Sequence, residues 1–224
     1  MMFAIIQARL SSKRFPRKVL KKINGMSVLE HIIQKMKKIF PLKKIIVATS
    51  KNKEDTAICK LAKNLNVRCF RGDLKNVSKR YYDLLDEYQM NSFLRVCADS
   101  PFLDPKLIKK CIKIYNLKKP NFLTNILPRS FPKGQSVEIF DKKFFQKNFS
   151  SIKKSHDKEH VTTYFYSNKY KFRYINIKNK IDFSKINMCI DHPDDLKHAK
   201  RIISKTKVKN KIQTWEKLLK YFIN

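Results

Sequence analysis

Directly after the apolar run Met2 to Ala8 comes a loop, Ala8-Arg9-Leu10-Ser11-Ser12-Lys13-Arg14-Phe15-Pro16-Arg17-Lys18, with five cationic side chains and two hydroxyls. These are the residue types that hold phosphates. Arginine offers a planar fork of donors, lysine a compact charge, and serine hydroxyls or backbone amides fill the remaining lone pairs. The loop has neither the G-x-x-x-x-G-K-[ST] nor the G-x-G-x-x-G spacing. Asp99 and Asp191 each close an apolar, strand-like run, Phe93 to Cys97 and Ile186 to Ile190. Two carboxylates facing a phosphate loop are the hard oxygen donors that bind Mg²⁺. Each residue also has a plainer role: a basic loop can simply be solvated, and an aspartate at a strand-to-helix junction caps or turns the chain. Asp104, Asp194 and Asp195 fit that second description. His160, beside Glu159, is the histidine best placed for function, and Arg71-Gly72-Asp73 follows a short strand where it would either reach a substrate or turn the chain. No general base stands out.

The elements that must position these residues alternate. Met2 to Ala8 looks like a buried parallel strand that delivers its C-terminal end to a site. Ser27 and Glu30 make a capping box ahead of Leu29, Ile32, Ile33 and Met36 at helical spacing. Strand-like Lys44 to Thr49 is followed by a helix through Ile58, Leu61, Ala62 and Leu65, then a strand at Val67 to Phe70 and a helix from Val77 to Tyr88. After Phe93 to Cys97, Asp104 as N-cap and Pro105 at the first position open a helix whose inner face is Leu107, Ile108, Cys111 and Tyr115. The rhythm breaks between about 120 and 165, where Pro128, Pro132 and Gly134 precede a strand-like Ser136 to Phe140; this stretch reads as a small inserted subdomain. Strands near Phe172 to Ile177 and Ile186 to Ile190, a helix from Pro193 and a last helix with Trp215, Leu218, Leu219 and Phe222 complete the chain. Residues 1–224 therefore predict one α/β domain, a three-layer, doubly wound, mostly parallel sheet that binds its ligand beyond the carboxyl ends of the strands.

Composition narrows the class. Fifty-one Lys and Arg against 18 Asp and Glu give a formal charge of +33, which raises the possibility of a basic, non-enzymatic nucleic-acid-binding protein. The lysines are scattered over nearly every segment, however, and scattered charge makes no stripe or arm for a polyanion. The five cysteines are odd in number, widely spaced and set in apolar patterns, which predicts reduced, buried thiols in a cytoplasmic protein. The first apolar run is too short for a signal peptide, and none approaches the ~18 residues of a membrane span.

The opening Ile5-Ile6-Gln7-Ala8-Arg9 with Ser12, Arg14, Pro16 and Lys18 resembles that of the cytidylyltransferases, the acylneuraminate and 3-deoxy-manno-octulosonate synthetases and, most closely, the spore-coat polysaccharide branch. The similarity continues through Val47-Ala48-Thr49, Arg71-Gly72 with Arg80-Tyr81-Tyr82, Arg95 to Pro101, Pro132-x-Gly134 with Val137-Glu138-Ile139-Phe140, Glu159-His160-Val161-Thr162 and Asp191-x-Pro193-x-Asp195-Leu196. The resemblance implies a nucleotide-diphospho-sugar transferase, Rossmann-like fold. It implies that CMP passes from CTP to a sugar acid of the 2-keto type, with release of pyrophosphate, for cell-surface polysaccharide or glycan synthesis. It implies that Gln7, Ala8, Arg9, Ser12, Arg14, Lys18, Thr49 and Arg71 bind nucleotide, that Asp99 and Asp191 bind Mg²⁺, that Glu138 and His160 meet the acceptor, and that Arg9, Lys18, Asp99 and Asp191 carry the chemistry. A homodimer through 120–165 is also implied. Ala98 stands where relatives often have glycine, and Lys133 and Ser136 where the nearest branch tends to be acidic. The rival readings are a nucleotidyltransferase acting on a sugar phosphate and a glycosyltransferase using a nucleotide-sugar; the second usually carries a D-x-D motif, which Asp73, Asp99 and Asp104 do not form.

Overall fold

The computed structural model describes residues 1–206 and 214–223. Its centre is a seven-stranded sheet in the order β5-β4-β1-β6-β8-β7-β9. In it, β1 (Met2–Gln7), β4 (Ile45–Ser50), β5 (Arg68–Gly72) and β6 (Ser92–Cys97) run parallel. β8 (Glu138–Asp141) is antiparallel to both β6 and β7 (Phe122–Thr124), and β9 (Tyr174–Asn176) pairs parallel with β7. The mostly parallel α/β sheet expected from the alternating pattern is therefore present. Residues 122–124 and 138–141 contribute two of its strands. A separate hairpin, β2 (Lys22–Ile23) and β3 (Met26–Ser27), turns through Asn24 and Gly25, both at positive φ (47° and 85°), the geometry that two-residue hairpin loops require.

Alternation along each strand sends side chains to two helical layers. Ala4 and Ile6 of β1 face α1 (Val28–Lys37), α2 (Thr56–Asn64), α4 (Pro105–Lys118) and α8 (Pro193–Thr206), whose Ile32, Ile58, Ile108 and Ala199 fill one core with Trp215 of α9 (Trp215–Leu218). Phe3 and Ile5 face the other layer, where Tyr81 of α3 (Val77–Glu87), Phe145 of α5 (Lys142–Asn148) and Phe165 of α7 (Thr163–Ser167) form an aromatic core. The capping signals act as the sequence suggests. Ser27 Oγ accepts from Glu30 N at 3.2 Å while the Glu30 carboxylate accepts from Ser27 N. Asp104 Oδ1 accepts from Lys106 N at 2.7 Å, with Pro105 at the first helical position.

Two expectations are corrected. Ile186 to Ile190 is not a strand: Lys133 N donates to Ile186 O at 2.9 Å, Met188 N to Lys133 O at 2.9 Å and Ile190 N to Asp99 O at 2.8 Å, so the segment is tied to two loops and to no sheet edge. Asp191 thus reaches Asp99 through this cross-bridge. Not all cysteines are reduced thiols either. α2 and β5 bring the Cα atoms of Cys59 and Cys69 to 5.4 Å and the two are joined in a disulfide, while Cys97, Cys111 and Cys189 stay as thiols. Among the described residues no helix is long and apolar enough to cross a membrane.

Candidate active site

A cavity of about 700 Å³ opens beyond the carboxyl ends of β1 and β6. Its floor is Gln7, Ala8, Cys97 and Ala98; one wall is the basic loop, and the other comes from Leu74, Lys75, Ser155 and Glu159. The loop keeps its shape through Leu10, which is 1% exposed: Ser12 N and Arg17 N both donate to its carbonyl at 2.9 Å. Leu10 N in turn donates to Asp55 Oδ1 at 2.8 Å, and the other oxygen of this buried carboxylate takes the Ser50 hydroxyl. Sequence reasoning missed Asp55, because an aspartate just ahead of a helix reads as a cap; here its side chain caps nothing and is turned to the loop instead. Arg17 then adopts the left-handed conformation (φ 59°), turning the chain so that Lys18 enters a short 3₁₀ turn with its side chain under the cavity.

Lys18 Nζ lies 2.9 Å from Asp99 Oδ2 and 3.0 Å from Asp191 Oδ1, and Arg14 Nη2 lies 3.0 Å from the same Asp191 oxygen. Ser100 Oγ donates to the second Asp99 oxygen at 3.1 Å. Asp191 is held from behind, because Asp195 Oδ2 accepts from the backbone of both Asp191 and His192. Burial works to lower the Lys18 pKa, but the two carboxylates outweigh it and hold it above the ordinary lysine value. Burial would likewise raise Asp191, yet Lys18 and Arg14 keep it below the usual carboxylate range. On the opposite wall Arg9 Nη2 meets Glu159 Oε1 at 3.0 Å, and that hydrogen bond holds Glu159 low. Among the described residues no three acidic, histidine or cysteine side chains cluster as a closed metal cage. Two carboxylates converging on one ammonium suit instead a cation that takes its other ligands from a substrate's phosphates and water.

The structure thus brings together Gln7, Ala8, Arg9, Ser12, Arg14, Lys18, Asp99 and Asp191. It does not bring Thr49, Arg71, Glu138 or His160 to the cavity. Thr49 is fully buried in β4 on the face that Ile45 and Val47 share. Arg71 spends its donors on Ser50 O, Thr56 Oγ1 and Asn52 O, pinning the chain after β4. His160 is exposed and stacks edge-on with His156, while the carboxylate one residue earlier is the group that lines the cavity. Glu138 is 2% exposed and paired with Arg95.

A second supporting residue, Arg80, was visible to sequence reasoning only as part of a matched segment. It is fully buried, and its Nε and Nη2 donate to Asp73 O at 2.9 and 2.6 Å, with Nη2 also 3.3 Å from Leu74 O; it therefore fixes the loop that carries Leu74 and Lys75. Gly72 makes room for it, since a Cβ there would lie 2.6 Å from Arg80 Cγ.

The chain is similar in sequence and fold to known proteins. The chain is 35% identical over 195 residues to the uncharacterized protein MJ1063 of Methanocaldococcus jannaschii, covering 86% of this chain and 79% of that protein. It is 24% identical over 209 residues to the spore coat polysaccharide biosynthesis protein SpsF of Bacillus subtilis, covering 90% and 85% respectively. A solved cytidylyltransferase structure from Leptospira borgpetersenii superposes with a TM-score of 0.90 at 27% identity, over 98% of this chain and 92% of that one. With the cytidylyltransferase family model also matching residues 3–223, the chain belongs to the cytidylyltransferase family and is a nucleotidyltransferase.

Proposed function

We propose that the protein transfers CMP from CTP to a sugar acid and releases pyrophosphate, as a cytoplasmic step in the synthesis of a cell-surface glycan. The observation that carries this reading is the meeting of Lys18 with both Asp99 and Asp191, which puts a cationic loop and an acidic pair in one cavity. The triphosphate lies along the basic loop, and Arg14 and Lys18 exchange their carboxylate partners for phosphate oxygens. Arg9 neutralises charge from the other wall. Asp99 and Asp191 hold Mg²⁺, whose chemistry when bound is to stabilise negative charge on the phosphates. The acceptor's hydroxyl, in a 2-keto sugar acid the anomeric one, attacks the α-phosphorus in line; the new O–P bond forms as the bond to pyrophosphate breaks, and the hydroxyl's proton passes to water. Positioning and charge stabilisation supply most of the rate. Family resemblance supports the sugar-acid acceptor and a homodimer through 120–165.

The test is pyrophosphate release from purified protein with Mg²⁺, each NTP in turn and a panel of sugar acids and sugar phosphates. CTP with a sugar acid supports turnover, and Asp99→Asn and Asp191→Asn each lower it by about 100-fold or more, as loss of a charge-stabilising group does. Silence with CTP across the panel, or full activity in both variants, refutes the reading.

A further inference from the structure

A polar row crosses the aromatic face of the sheet. Arg95 on β6 stands directly opposite Glu138 on β8, Glu138 opposite Thr124 on β7, and Thr124 opposite Asn176 on β9. Side chains directly opposite one another are close enough to interact, and Arg95 and Glu138 do so, with Tyr166 linking Glu138 to Thr124. Arg95 Nη1 donates to Glu138 Oε2, the Tyr166 hydroxyl of α7 donates to Glu138 Oε1, and Thr124 Oγ1 lies 3.1 Å from the Tyr166 oxygen. The pair is desolvated, with side-chain exposures of 14% for Arg95 and 2% for Glu138. Such a pair needs all its hydrogen bonds satisfied to be tolerated, and it adds little to stability that an apolar pair could not supply. The chain of bonds does not stop in the core. Arg95 Nε donates at 3.3 Å to Oε1 of Gln7, which sits at the end of β1 on the cavity floor.

That contact determines which way the Gln7 amide faces. A guanidinium only donates, so Gln7 must turn its oxygen to Arg95, and its NH₂ group is what remains for an occupant of the cavity. An amide held by a second residue whose own position is locked loses little freedom on binding, which is the benefit of preorganisation.

We propose that Arg95 and Glu138, with Tyr166, are positioning residues that fix Gln7 so that its Nε2–H donates to an oxygen or ring nitrogen of the bound nucleotide. Glu138 acts on the substrate at two removes and touches neither substrate. This rests on the nucleotidyl-transfer reading, and it accounts for why a carboxylate in a matched segment is buried away from the cavity.

The experiment is direct binding of Mg·CTP by titration calorimetry, without acceptor, alongside thermal unfolding of each variant. Gln7→Ala weakens CTP by about tenfold, the loss of one hydrogen bond. Gln7→Glu presents an oxygen instead of a donor while offering Arg95 a carboxylate; it weakens CTP at least as much with no fall in Tm, an outcome a purely structural Gln7 would not produce. Glu138→Gln weakens CTP severalfold alone and adds nothing in the Gln7→Ala background, because residues acting through one contact are non-additive. Tyr166→Phe, which removes one O–H and keeps the ring, shows the same non-additivity and serves if Glu138→Gln folds poorly. Wild-type affinity in Gln7→Ala, or effects of Glu138→Gln and Tyr166→Phe that add fully to it, overturns the proposal. Failure of the wild type itself to bind CTP refutes the nucleotide reading instead.

Discussion

The two halves of the sheet treat charge differently. Where the mixed half, β8-β7-β9, joins β6, an ion pair is sealed into the core: Arg95 and Glu138 face each other across strands and are closed over by Tyr166. At the open edge of the parallel half, β5-β4-β1-β6, the cavity's charged groups pair beyond the strand ends, where side-chain exposure reaches 61% at Arg14 and 23% at Asp191. The cause is topological. Parallel strands end together and send their loops to one edge, so ionised groups can gather there while water still reaches them. The reversed strand β8 sets its first residue, Glu138, against the interior of β6, and polar residues placed there must find their partners among buried groups. The pocket pairs are therefore the ones the proposed reading has trading carboxylate for phosphate, whereas the core pair is closed off by Tyr166.

The largest effect that tests this contrast is on stability. Arg95→Met leaves Glu138 buried without its cation, which should cost about 3–5 kcal/mol. Arg14→Met removes an exposed partner and should cost no more than about 1 kcal/mol. Urea unfolding of both variants measures the difference. Similar costs would mean that burial does not set the Arg95–Glu138 pair apart from the Arg14–Asp191 pair.

The same contrast explains what could be read in advance. The strands and helices of the parallel half follow from short-range patterns, such as the Ser27–Glu30 box and the Asp104-Pro105 cap, and they formed where expected. Arg9, Arg14, Lys18, Asp99 and Asp191 announce themselves because charged residues there break off an apolar run. The support behind them did not. Asp191 depends on Ile190 reaching the Asp99 carbonyl and on Lys133 bracketing Asn187, contacts across more than fifty residues that an apolar run mimics as a strand. Arg95 and Glu138 are forty-three residues apart, and only the register of β6 against β8 makes them partners. Asp55 serves the backbone of Leu10, forty-five residues away, and Arg80 the carbonyls of Asp73 and Leu74, and backbone groups leave no mark in a sequence.

Arg80 sharpens the comparison from the parallel side, since it is a buried cation bonded to backbone carbonyls and, among the described residues, to no carboxylate. Gly72→Ala would push a methyl into Arg80 Cγ, which lies 2.6 Å from the Cβ position, and into Phe70 Cε1 at 3.1 Å. Overpacking of this kind costs about 1–3 kcal/mol. The displaced guanidinium also releases Asp73 and Leu74, so the KM for CTP rises more than kcat falls. A stability loss with an unchanged KM would show that Arg80 is structural and that the 73–76 loop holds itself.

The smallest effect concerns a cation that this half leaves without a partner. Lys35, half-buried on α1, makes no ion pair among the described residues, and its pKa is pushed down to about 8, first by burial and then by the nearby Lys38, with Asp104 pulling weakly the other way. An unfolded lysine titrates near ~10.4, so between about pH 8 and ~10.4 the unfolded chain holds a proton at this position that the folded chain has released. Stability tied to this group therefore rises with pH across that window and is at its lowest below pH 8, the reverse of a lysine held by a carboxylate. Cys97, whose pKa is pushed up to about 11 by burial, works in the opposite sense over part of the same range, so the wild-type curve alone cannot isolate Lys35. The difference between wild type and Lys35→Met can. At pH 7 the variant should unfold at a higher temperature, and its advantage should shrink steadily between about pH 8 and ~10.4, because the penalty for burying the charged amine fades as the unfolded lysine also loses its proton. An advantage that stays constant with pH would place the Lys35 charge in water, and a variant less stable at pH 7 would mean that Lys35 has a partner as good as the one Glu138 provides for Arg95.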